Sequence, residues 1–72
     1  MSAIQKAVEI VGTQTELARR IGATQGQVSH WVVNLKPVPP GRCIPIERAT
    51  DGQITRYDLR PDIFGERPSV AA

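Results

Sequence analysis

The sequence predicts an all-α domain of about five short helices. Two patterns carry that expectation. A hydroxyl residue suited to capping stands ahead of four of the expected helices, at Ser2, Thr13, Thr24 and Thr55. Within the expected helices the apolar residues recur at helical spacing, and glycine or proline punctuates their ends.

The first element is expected from about Ala3 to Val11, capped by Ser2. Ile4, Ala7, Val8 and Val11 follow the i, i+3, i+4, i+7 pattern, and Gly12 is the stop. This helix should cover the back of the next two. Its Lys6 reads as a solvated charge.

The organising stretch runs from Thr13 to Val33, TQTELARRIGATQGQVSHWVV. Thr13 suits an N-cap and Glu16 stands three residues on, as in a capping box. Leu17, Ala18 and Ile21 form one apolar face. Gly22 follows where a left-handed backbone commonly ends a helix. Thr24 can cap the next helix, expected over 24–33, with Gln27 three residues on. Val28, Trp31 and Val32 give it an apolar face. A small residue for the crossing, a glycine at the turn and large apolar residues behind match a helix-turn-helix. A plain helical hairpin is the structural alternative.

After Trp31 the segment VVNLKPVPPGRC holds three prolines and a glycine, which predicts a turn or wing-like connector. Pro40 suits the first turn of another helix running to about Ala49. Cys43, Ile44, Ile46 and Ala49 are expected to face inward. Pro45 removes an internal hydrogen bond, so a distorted helix, or one regular only from Pro45, is expected. Gly52 should end it.

Asp51-Gly52 leaves two readings open. It could turn a hairpin whose strand is Gln53 to Tyr57, but Pro45 interrupts the partner segment. The favoured reading is a short helical turn capped by Thr55, carrying Tyr57 and Leu59 onto the core and stopped at Arg60-Pro61. Ile63 and Phe64 would anchor to the core or to a second subunit. Residues 1–65 are thus expected to form one helix-turn-helix domain and 66–72 a disordered tail.

Composition narrows the function. Seventy-two residues allow one small core. No apolar run is long enough to cross a bilayer, and no signal-peptide pattern appears, so a cytoplasmic, nucleoid-associated protein is expected. Cys43 stands alone, and one Cys with one His cannot form a usual structural zinc site. No metal or cofactor is expected. No carboxylate pair or nucleophile–base spacing points to an enzyme. Up to Arg48 the chain carries six basic and three acidic residues; from Ala49 on it carries three basic and four acidic. The basic excess lies with the helix-turn-helix, as double-stranded DNA would require.

The outward face of the second helix of that motif carries Thr24, Gln25, Gly26, Ser29 and His30, all small or polar, with Gln27 on the same turn. Asn34 and Lys36 lie just beyond, where phosphates would pass. Arg19 and Arg20 would neutralise backbone charge; pairing of Arg20 with Glu16 at i, i+4 is an equal alternative.

TQTELARRIGATQGQVSHWV resembles the helix-turn-helix of phage repressors and Cro proteins. VPPGRCIPIERATDGQITRYDLRPDIFG resembles the YdaS-like Cro and antitoxin regulators of prophages. Together the two cover about Ile4 to Gly65. The resemblance implies a lambda-repressor-like fold and a small transcriptional regulator, most simply a repressor of prophage genes. By the same likeness Gln14 would hold a phosphate and buttress Gln25, while Gln25 would read a base. Gln can bond adenine through N6 and N7. Gly26 departs from the bulkier polar residue common at its position. A homodimer, at least on DNA, is expected to read half-sites roughly 34 Å apart. The alternative is an antitoxin-type interaction module that sequesters a toxin partner.

Overall fold

The computed structural model describes residues 2–65. It contains six helices over that range: α1 (Ala3–Val11), α2 (Gln14–Ile21), α3 (Gln25–Val33), α4 (Pro40–Ala49), α5 (Arg56–Leu59) and α6 (Pro61–Phe64). No strand occurs among the described residues, so the hairpin reading of Asp51-Gly52 is discarded. The expected 66–72 tail lies outside the described residues.

Local chemistry sets most of the helix starts. Ser2 accepts from the Gln5 amide and Gln5 returns the bond to the Ser2 amide, a complete capping box. Thr24 with Gln27 and Thr55 with Asp58 do the same for α3 and α5. Thr13 caps α2 through the Glu16 amide at 3.0 Å. The expected reciprocal half is missing there, because the Glu16 carboxylate is held by Arg19 and Arg20 instead.

The core lies where α2, α3 and α4 meet beneath α1. Leu17, Val28, Cys43 and Ile46 are fully buried, and Ile4, Ala7, Ala18, Ile21 and Trp31 close around them. Val38 from the proline-rich connector and Ile54 from the loop after α4 complete it.

Three expectations for α4 need correction. The helix is continuous from Pro40 and does not restart at Pro45. The carbonyl that Pro45 deprives of a donor is that of Gly41, an exposed residue in the first turn, where water can serve instead. Ile44 points outward and is 40% exposed, since the inward stripe runs through Cys43 and Ile46. The helix ends at Ala49 with Thr50 as cap, not at Gly52. Asp51 and Gly52 then turn left-handed, and the Gly52 amide reaches back to the Glu47 carbonyl at 2.8 Å.

α5 stops before Arg60-Pro61 as expected, with Arg60 in a non-helical backbone, and Pro61 then opens α6, since proline needs no N–H partner in a first turn. Leu59 and Phe64 pack against the core while Ile63 is exposed. Tyr57 does not enter the core. It is half-buried, with the Arg56 guanidinium 4.6 Å above its ring. Arg60 donates to the Val38 carbonyl at 3.0 Å and pairs with Asp62, tying the connector to α6.

Thr50 links α4 to the loop that follows. Its buried hydroxyl lies 3.0 Å from the Ile46 carbonyl and accepts the Ile54 amide at 3.1 Å. Thr50→Val keeps the shape but leaves that amide unpartnered, so it should lower the unfolding free energy by about 1–3 kcal/mol in urea titrations. Thr50→Ser loses one methyl, about 0.8 kcal/mol. A valine variant no weaker than the serine variant would show the hydroxyl to be idle.

Candidate nucleic-acid interface

The turn between α2 and α3 is built from the bottom up. Gly22 adopts φ 75° and ψ 26°, a left-handed conformation that suits glycine. The Ala23 amide returns to the Ala18 carbonyl at 2.9 Å. Arg42 of α4 donates to the Ile21 carbonyl at 3.0 Å, placing a cation at the carbonyl end of α2. Arg42 escaped the sequence reading because the contact joins residues 21 positions apart and leaves no local pattern.

With Val28 and Trp31 turned into the core, the opposite side of α3 faces outward. Thr24, Gln25, Gly26, Gln27 and His30 are exposed and Ser29 is half-buried. The Gln25 side-chain amide donates to the Gln14 side-chain carbonyl at 2.8 Å, across the turn between the helices. That bond leaves Gln25 with its own carbonyl oxygen and a second amide hydrogen, the two groups an adenine edge needs. Gln14, half-buried, keeps its amide nitrogen as a donor.

Two groups are already engaged in local structure. The Gln27 side-chain carbonyl accepts the Thr24 amide at 3.0 Å, so Gln27 offers only its amide nitrogen outward. The Thr24 hydroxyl accepts the Gln27 amide at 3.1 Å. The backbone N–H groups of Gln25 and Gly26 lie in the first turn, where no helical carbonyl reaches them. They can serve an anion such as a phosphate. A Cβ at Gly26 would meet nothing nearer than the Thr24 hydroxyl, at 3.9 Å. The glycine is therefore not demanded by packing within the chain.

Asn34 and His30 touch each other, Nδ2 to Nδ1 at 3.1 Å. Lys36 is exposed in the connector. Arg19 and Arg20 share the Glu16 carboxylate, with Arg20 Nε 2.9 Å away. Arg20 also reaches the Ala49 carbonyl at 3.4 Å. The structure thus contains the ion pair weighed for Arg20 and gives Arg19 the same partner.

Among the described residues no three His, Cys, Asp or Glu side chains gather as a metal site requires. No helix among them is long and apolar enough to cross a membrane. Cys43 is buried, and burial pushes its thiol above the ordinary value.

Comparison with known proteins places this geometry. The profile of the family described as bacterial toxin YdaS matches residues 4–68. The chain belongs to the YdaS family. A relative in Escherichia coli (strain K12), YdaS, bears the name of a transcriptional regulator. It is 39% identical over 59 residues, which make up 82% of this chain and 60% of the relative. The YdaS-family chain therefore spans about three-fifths of that protein. Among solved structures, the Cro protein of the Xfaso 1 prophage element in Xylella fastidiosa strain Ann-1 superposes with a TM-score of 0.83. It is 42% identical, with 90% of this chain and 98% of that one covered. XPH1, a hybrid of Xfaso 1 and Pfl 6, two Cro proteins with different folds, is 43% identical over the same shares, with a TM-score of 0.62. This YdaS-family chain is thus a small helical domain of Cro type. These relatives are named as regulators or Cro proteins, not as enzymes.

The Arg19 and Arg20 guanidinium groups hold the Glu16 carboxyl down to about 2, against an ordinary value of 4.5. A depressed carboxyl stabilises the fold above its unfolded value, and that contribution disappears as pH falls from about 4.5 to about 2. Glu16→Gln should therefore be less stable than the parent at neutral pH, with the gap closing through that window in thermal melts. The gap should also shrink with added salt, since the pair is exposed. A gap independent of pH would mean that Glu16 acts by packing alone.

Proposed function

We propose that this YdaS-family chain is a sequence-specific DNA-binding regulator that represses prophage genes by laying α3 in the operator major groove. The observation that carries this reading is the outward polar row of Gln25, Gly26, Ser29 and His30, backed by the Gln14–Gln25 bond. Gln25 reads an adenine edge, with Ser29 and His30 further along the groove. The first-turn amides of α2 and α3, together with Gln14, Asn34 and Lys36, meet phosphates and fix the register. Thr24 and Gln27 shape the start of the reading helix and present their remaining polar atoms. Arg19 and Arg20 add positive potential that Glu16 tempers.

The reading extends to two subunits on one operator, their α3 helices roughly one duplex turn apart, 34 Å. Val33 and Leu35, each 67% exposed, and Ile63 supply apolar surface for protein contact. Such a protein would act in the cytoplasm, on the nucleoid.

The exposed apolar side chains of Val33, Leu35 and Ile63 support a second reading, an antitoxin-type module that sequesters a toxin partner. Selection of bound duplexes from a random pool, followed by mobility shifts, separates the two. A regulator enriches one symmetric sequence, and a purely sequestering protein enriches none.

On the selected operator, Gln25→Ala should cost about 1–3 kcal/mol and relax the preference at one base pair. Equal loss on random DNA would remove Gln25 from base reading. Lys36→Ala should weaken binding to all sequences alike and flatten the dependence of affinity on salt. An unchanged salt slope would place Lys36 outside the interface.

A further inference from the structure

We infer that Asn34 is a positioning residue that fixes the His30 tautomer and so makes His30 a reader of guanine. The inference rests on the reading of α3 as the groove helix. Asn34 Nδ2 lies 3.1 Å from His30 Nδ1. An amide nitrogen donates and cannot accept, so Nδ1 must present its lone pair. The ring proton then resides on Nε2, at the far side of an exposed imidazole. The four-residue spacing on α3 and its cap places the two side chains one above the other. Asn34 also ends the helix, its amide donating to the His30 carbonyl at 3.3 Å. Ring orientation and proton position are thereby set together.

An Nε2–H group pointing into a major groove is a single, fixed donor. Guanine offers it two adjacent acceptors, N7 and O6. Adenine pairs its one acceptor with an amino donor, thymine sets its acceptor beside a methyl, and cytosine offers only an amino donor. His30 should therefore favour guanine, at a base pair distinct from the one Gln25 reads.

His30 is the chain's one histidine, so nitrogen-15 spectra of histidine-labelled protein report this ring alone. At pH 8 the proton is expected on Nε2 in the parent. In Asn34→Asp a carboxylate can only accept from the ring, and the proton should move to Nδ1. Asn34 is exposed with φ −89°, a backbone any residue adopts, so these variants should stay folded. Site selection gives the second readout. His30→Ala marks the base pair at which preference vanishes. Asn34→Ala should lose about tenfold of the guanine preference at that same pair relative to the Gln25 pair, whereas loss of its phosphate contact would lower affinity for all sequences alike. A parent spectrum with the proton on Nδ1, or an Asn34→Ala variant that keeps its guanine preference, overturns the inference while leaving DNA reading in place. A parent that selects no sequence overturns the underlying reading and takes the inference with it, whatever the spectrum of the unbound protein shows.

Discussion

The crossing of α2 over α3 is the constraint on which the structure depends. It is closed by one left-handed glycine, Gly22, and filled by Leu17, Ala18, Ile21, Val28 and Trp31, all buried. Ala18 at the crossing lets the backbones approach, and Trp31 fixes the rotation of α3 about its own axis. That rotation decides which residues of α3 meet water. The polar row follows from the apolar one, because a helix that commits Val28 and Trp31 to the core has no choice about Gln25, Gly26 and His30.

Much of the polar chemistry near the crossing serves the protein itself. Glu16 gathers Arg19 and Arg20, Gln27 closes a cap, and Arg42 closes the end of α2. On the outward side of α3 and at the start of α2, hydrogen-bonding capacity remains at the Gln25 carbonyl, the Gln14 amide, the His30 ring and two backbone N–H groups. Glu16 offsets one of the two charges of Arg19 and Arg20.

The helix-turn-helix was legible because each of its requirements is local. Thr13, Gly22 and Thr24 act within a few residues of themselves, and the apolar spacing of α1 to α3 needed no distant partner. What the sequence hid depends on tertiary contact. Val38 and Ile54 sit in irregular segments with no periodicity to mark them as core. The Thr50 hydroxyl and the Arg60–Val38 tie join places that only the folded chain brings together. Pro45 misled because its usual penalty assumes a carbonyl with no alternative partner, and Gly41 is exposed. The second short helix after Leu59 was missed because Pro61 both ends α5 and starts α6, and only the first role was read. In the candidate site, the capping-box spacing of Thr24 and Gln27 already pointed to Gln27 as the partner of the Thr24 amide, and the likeness to phage repressors implied that Gln14 stands behind Gln25. What the sequence did not disclose was that Glu16 forgoes its own cap for Arg19 and Arg20.

Four helices begin with a hydroxyl residue that accepts an amide three positions ahead: Ser2, Thr13, Thr24 and Thr55. These stitches close within one turn of chain, before any distant segment need arrive. The nascent polypeptide can therefore delimit its helices early and leave only their mutual docking to be searched. Such locality favours rapid renaturation and brief exposure of sticky intermediates.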